Sequence, residues 1–187
     1  MTATSPARCY IAIGSNQGER LVLCEAAVVA LAALPQCVIS SRSAWYETEP
    51  VVDPAAHQAG EQPSWFINGV VELTTTLAPR RLLDECLRIE RRFGRHRVAG
   101  SGASLSRPID LDLLLYGDVV IDDPGLTVPH PRLEHRRFVL APLGEIAPDV
   151  VHPVLGTTIA GLLDRLTDDH AVRRLEPAAA LSDRPLT

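Results

Sequence analysis

Two aspartates one residue apart, Asp110 and Asp112, stand in the stretch RPIDLDLLLYGD (107 to 118), an otherwise apolar run with an arginine before it. On a strand, residues two apart point to the same face, which sets their Cα atoms roughly 6.5 to 7 Å apart. Two carboxylates held that close repel unless a cation or a cationic side chain lies beside them. Hard divalent cations take oxygen ligands, and Mg²⁺ commonly binds one or two carboxylates while keeping positions for water and phosphate oxygens. The pair therefore suits a metal-phosphate site. Taken alone, an Asp-x-Asp also fits a half-exposed strand facing water, a two-metal hydrolase site or a calcium loop, although no further acidic cluster at EF-hand spacing accompanies it. The surrounding residues favour phosphate. Arg107 precedes the strand, Arg95 and Arg97 follow a helix end, and Arg132, Arg136 and Arg137 form a second basic group. The planar guanidinium donates two hydrogen bonds at once and stays charged.

All 18 basic residues of this 187-residue chain are arginine, and nine of them lie between positions 88 and 137. The lack of lysine excludes a GxxxxGK[ST] phosphate loop, so phosphate must be held by arginine, backbone or metal. A net charge of -5 argues against broad attraction to nucleic acid or an anionic membrane. No apolar stretch approaches the ~18 residues of a membrane span, and the first residues, MTATSPARCY, lack the pattern of a secretory signal. The expectation is a cytoplasmic protein. Its cysteines (Cys9, Cys24, Cys37, Cys86) have no metal-site or Cys-x-x-Cys spacing and read as reduced, packed side chains.

The elements that must position the charged residues follow from periodicity and turn chemistry. RCYIAIG (8 to 14) reads as a buried strand, followed by a helix from Glu19 to Leu34. Strands are predicted over 37 to 48 and 64 to 76, then an amphipathic helix over 77 to 94 with Pro79 near its start and Gly94 as its stop. Residues 98 to 106 are small and polar and read as a mobile loop. The aspartate strand spans 109 to 116, with Ile109, Leu111, Leu113 and Leu115 facing the core, and YGDVVIDD turns tightly into a further strand. Helices are predicted over 135 to 148 and 158 to 167. The mixture fits one α+β domain, residues 1 to 176, with a mainly antiparallel sheet and a loosely ordered tail from Pro177.

Several segments together resemble the 6-hydroxymethyl-7,8-dihydropterin pyrophosphokinases of folate biosynthesis: YIAIGSNQGER, YETEP, QPSWFINGVVEL, RIERRFGRHR, RPIDLDLLLYGD and LTVPHPRLEHRRFVLAPLGEIAPD, in family order over residues 10 to about 165. The resemblance implies an α/β/α sandwich with a ferredoxin-like core. It implies transfer of the β,γ-diphosphate of ATP to the hydroxymethyl group of the reduced pterin, with release of AMP. Asp110 and Asp112 would then hold two Mg²⁺ ions, with Arg95 and Arg107 completing the catalytic set. Glu90, Arg97, Leu113, Thr127, His130 and Arg136 would serve the nucleotide. Thr48, Val51 and Asn68 would contact the pterin, and Phe66 and Phe138 would sandwich its rings. The implied partners are small-molecule substrates only, with no nucleic acid or membrane, and a monomer.

The chain departs from the family in its loops. Where members usually carry an Arg/Lys-Trp-Gly-Pro run, this sequence has Ala103, Ser104, Leu105 and Ser106, in a loop two residues longer, and residues 51 to 61 enlarge a second active-site loop. Leu87 and Gly125 stand where members often place nucleotide contacts. Such a loop orders and dries a closed site. Its replacement raises one alternative, a catalytically weakened homologue that binds pterin or nucleotide.

Overall fold

The computed structural model describes residues 5–51, 64–95 and 107–176. Its first strand, β1 (Ala7–Ser15), lacks polar alternation because helices cover both faces of the sheet around it. It is followed by α1 (Arg20–Ala32), β2 (Cys37–Arg42), β3 (Tyr46–Thr48), β4 (Phe66–Thr75), α2 (Pro79–Arg92) and β5 (Asp110–Tyr116). Beyond these lie β6 (Ile121–Asp123), β7 (Leu126–Val128), a 3₁₀ turn (Leu133–His135), α3 (Arg137–Ile146), α4 (Ile159–Arg165) and β8 (Val172–Arg174). The main sheet runs β5-β1-β4-β3-β8, with β2 on the far half of β4, and its pairings are antiparallel. The succession β1-α1-β2-β4-α2-β5 with order β5-β1-β4-β2 is the ferredoxin-like arrangement.

One face of the sheet is covered by α1 and α2, whose Cys24, Ala27, Leu31, Leu82, Cys86 and Ile89 pack with Ile11, Ile13, Leu73 and Leu111. The other is covered by α3 and α4, where Leu140, Leu143, Ile159 and Leu162 meet Tyr10, Val70 and Leu114. The expected α/β/α sandwich is therefore present. All four cysteines are buried and unpaired, and burial pushes the Cys9 and Cys24 thiols up to about 12, so they pack as inert small groups.

Three sequence expectations need correction. The strand over 37 to 48 is two strands, because the Trp45 ring lies against Gly69, where a Cβ would sit 2.6 Å from it, and the chain bends at Ser43–Trp45. Leu115 does not share the face of Leu111 and Leu113. A register shift opposite Tyr10 and Ile11 leaves Leu114 as an extra residue and turns Leu115 to the α3 side. The strand after YGD pairs with β7 in a separate two-stranded sheet rather than with β5. The short β7 and β8 have too few residues for a periodicity signal. The predicted mobile loop at 98 to 106 and the tail from Pro177 lie outside the described residues.

Glu145 fastens α3 to the β3 edge. Its carboxylate accepts from the Ala44 amide (3.0 Å), the Tyr46 hydroxyl (2.9 Å) and Arg174 (3.0 Å). Partial burial opposes its charge, but these three donors outweigh that and hold the carboxyl below its ordinary 4.5. Glu145→Ala should lower stability by about 1–2 kcal/mol in chemical denaturation. A folded-state pKa below the unfolded value means that this contribution is complete above the ordinary value and fades as pH falls through the folded one. The variant and parent should therefore converge in stability at acid pH.

Candidate active site

The sheet register brings the expected residues to one face. Asp110 lies beside Gly14, and Gly14 beside Asn68; in the next row Asp112 lies beside Ala12, and Ala12 beside Val70. Residues two apart share a face, so Phe66 and Asn68 on β4 and Thr48 on β3 open toward the same side as both aspartates. The small residues Ala12 and Gly14 keep the floor between them clear. The body of α3 covers the far end of this face, leaving Arg136 and Phe138, at its start, beside the exposed part.

Asp110 is the centre of a charge network. Its two carboxylate oxygens accept from Arg95 and from Arg107, and Arg95 also reaches Glu90 at 2.6 Å. Arg95 is brought there by the end of α2. Gly94 adopts φ +87°, the Gly94 amide bonds the Arg91 carbonyl and the Arg95 amide bonds the Glu90 carbonyl, a paired closure that turns the chain back over the helix end. Arg107 is held from the opposite side by its backbone, whose amide donates to Asn16 Oδ1 at 2.7 Å. Burial opposes the charge on Asp110, but Arg107 and Arg95 hold its carboxyl below the usual range.

Asp112 differs. Among the described residues no arginine bonds it, and the imidazole of His130 stands beside it, with Nε2 3.9 Å from Oδ2. Burial, then the charge of Asp110, push its carboxyl up. His130 is fixed by its own amide on the Leu114 carbonyl (2.9 Å), and its Nδ1 accepts the Arg132 amide (3.2 Å), which leaves Nε2 to carry the ring proton toward Asp112. Burial, and then Arg136 and Arg132 against the pull of Asp112, keep this imidazole below its ordinary pKa. Arg107 Nε is buried with no acceptor among the described residues, a donor left for a ligand oxygen.

Across the floor, the Asn68 amide donates to Thr48 Oγ1 at 2.6 Å, which satisfies one of its two N–H bonds and fixes its plane. Phe66 carries the Arg107 guanidinium over its ring at 5.8 Å, and Phe138 carries Arg136 at 5.3 Å. A Cβ on Gly14 would stand 2.5 Å from Asn68 Oδ1. Gly14→Ala should therefore displace the amide and, on the expectation that Asn68 contacts the pterin, weaken pterin binding by about tenfold, on the scale of one lost buried hydrogen bond. Fluorescence titration with pterin measures it, and an unchanged dissociation constant would remove Asn68 from the pterin contacts.

Not every expected residue joins this group. The Leu113 side chain is buried under the α1/α2 face, on the opposite side from Asp112, so only its backbone atoms face the site. Thr127 is exposed on β7, and Val51 is exposed where the described chain stops. Glu90, whose bland reading is a solvated helix face, is buried instead. It bonds Arg95 and accepts the Leu111 amide at 2.9 Å, so it stands behind the site rather than in it. Arg97 lies outside the described residues, as do residues 52–63, which include most of the second enlarged loop. Asn16 joins the site from outside the expected set; its side-chain oxygen takes the Arg107 amide, 91 residues along the chain, so no local pattern signals it.

A two-carboxylate, multi-arginine face opposite an amide and aromatic wall defines a phosphate-transferring class of site on a ferredoxin-like sheet. Residues 10–148 match the family model described as 7,8-dihydro-6-hydroxymethylpterin-pyrophosphokinase (HPPK). Relatives named 2-amino-4-hydroxy-6-hydroxymethyldihydropteridine pyrophosphokinase include one from Synechocystis sp., 37% identical over 94% of this chain and 86% of its own. Another, from Methylorubrum extorquens, is 38% identical over 90% and 99%. A crystal structure of wild-type Plasmodium falciparum HPPK-DHPS with pterin and p-hydroxybenzoate is similar in fold, with a TM-score of 0.64 at 18% identity, over 88% of this chain and 44% of that one. The chain thus spans less than half of that fused protein. It belongs to the HPPK family.

Proposed function

We propose that this chain is an Mg²⁺-dependent diphosphokinase that transfers the β,γ-diphosphate of ATP to 6-hydroxymethyl-7,8-dihydropterin and releases AMP, a step of folate biosynthesis. The observation that carries the reading is the unequal aspartate pair: Asp110 neutralised by Arg95 and Arg107, and Asp112 beside it without an arginine. The donor set fits Mg²⁺, being all carboxylate oxygen, with a deficit of positive charge at Asp112 that a hard cation would offset. Asp110 and Asp112 would hold two such ions, which supply charge neutralisation on the phosphates.

The chain's own residues do the positioning. Asn68 and Thr48 meet the polar edge of the pterin, and Phe66 and Phe138 face its rings. Arg107, with its spare Nε–H, and Arg136 compensate the phosphate oxygens, with Arg97, Thr127 and His130 on the nucleotide side and Glu90 behind them, holding Arg95. The pterin hydroxymethyl oxygen attacks the β-phosphorus in line; the new O–P bond forms as the bond to the AMP oxygen breaks, and the hydroxyl proton is released to water. Phosphoryl transfer needs little beyond alignment and charge compensation, which is what these groups offer. A monomer is part of the proposal, and four unpaired buried thiols fit a reducing, cytoplasmic setting.

The test is AMP release by the purified protein with ATP, Mg²⁺ and 6-hydroxymethyl-7,8-dihydropterin. Pterin binding without AMP at any Mg²⁺ concentration would favour the weakened, binding-only homologue.

A further inference from the structure

The first turn of α3 has no cap of its own. Arg136 occupies the N-cap position and offers no side-chain acceptor, so the amides that follow must find one elsewhere. Asp168, on the segment after α4, supplies it: its Oδ2 accepts the Arg137 amide at 3.0 Å, and the Arg137 guanidinium returns a bond to the Asp168 carbonyl at 3.2 Å. The other oxygen, Oδ1, is held by the His170 amide (3.0 Å) and by His170 Nδ1 (2.5 Å). The Asp168 side chain is only 10% exposed. Burial disfavours its charge, yet the Arg137 amide and the His170 donors hold its carboxyl below the usual range.

The same segment is tied at its other end to β3. Glu49 and Ala171 exchange bonds, from the Glu49 amide to the Ala171 carbonyl at 2.9 Å and from the Ala171 amide to Glu49 Oε2 at 3.1 Å, and Val172 then pairs with Thr48. The stretch from Asp168 to Val172 therefore links the helix start that carries Arg136 and Phe138 to the strand that carries Thr48.

We infer that Asp168 is a positioning residue for pterin binding, setting Phe138 at the start of α3 against Thr48 and Asn68 across the floor. This rests on the assignment of Phe138 and Thr48 to the pterin. In the full chain, Asp168→Ala should raise the KM for 6-hydroxymethyl-7,8-dihydropterin about three- to tenfold, the scale of a lost helix cap, with a smaller proportional fall in kcat. In a Phe138→Ala background the same substitution should add less than about twofold, because the wall it sets is gone. Independent, multiplying effects would mark a general structural role and overturn the inference. An unchanged KM in Phe138→Ala would overturn the pterin-wall assignment and this inference with it; a large Phe138→Ala effect beside an unchanged Asp168→Ala KM overturns the positioning role alone. If Asp168→Ala does not fold, His170→Ala, which frees one side of the carboxylate, should raise the pterin KM about twofold, and Asp168→Asn should do so by more. Parental KM in both would overturn the inference.

Discussion

Asp112→Asn should cut AMP release on the order of a thousandfold, while pterin affinity changes by less than about threefold. Asparagine keeps the size of the side chain and the strand position beside Ala12, so the fold has no reason to move. What it removes is the carboxylate of the pair that no arginine bonds among the described residues. Without it, a cation held by the proposed pair would lose half of its carboxylate set and the phosphates would lose their alignment, whereas Asn68, Thr48 and Phe66 are on β4 and β3, beyond Ala12 and Gly14. Asp110→Asn is the less clean experiment. It also strips Arg95 and Arg107 of their shared partner, and so mixes lost catalysis with lost order at the end of α2. Turnover of Asp112→Asn within about tenfold of the parent would remove it from the metal ligands, since one lost ligand group costs more than that.

The aspartate pair was legible because strand period is a local property: side chains two apart share a face wherever the strand goes. Gly94 was legible for the same kind of reason, as a residue that can take a positive φ at a helix end, and the structure shows that this stop also delivers Arg95 to Asp110. The features that escaped are fixed by distant parts of the chain. The bend at Ser43–Trp45 depends on Gly69 making room for an indole, and the turn of Leu115 depends on how β5 registers with β1. Asp168 caps a helix that begins 31 residues earlier, too far along the chain for any capping-box pattern to show. Residues 52–63 and 96–106, which take in most of the loops expected to differ from the family, lie outside the described residues.

Glu90 shows most clearly how a helix pattern can hide a site residue, and its removal should be costly. On an amphipathic helix its charge reads as part of the solvated face, yet it stands four residues after Cys86 and next to Ile89, both buried, and a carboxylate there must be satisfied internally. The structure supplies Arg95 at 2.6 Å and the Leu111 amide at 2.9 Å. Leu111 lies between the two aspartates, so Glu90 fixes both the backbone of the aspartate strand and one of the two arginines on Asp110. Glu90→Ala should destabilise the fold by about 3–5 kcal/mol, because it leaves a mostly buried guanidinium and a buried amide short of an acceptor. It should also slow AMP release about 10- to 100-fold, the usual cost of losing a group that orients a ligand residue. Both bonds reach the same oxygen, Oε1, so Glu90→Gln separates the acceptor from the charge. The amide oxygen can still accept from Leu111, while the charge facing Arg95 is gone, so stability should recover in larger part than turnover. Equal recovery of both, measured by denaturation and AMP release on the same preparations, would mean that Glu90 acts on the strand alone and that Arg95 needs only Asp110 to hold its place.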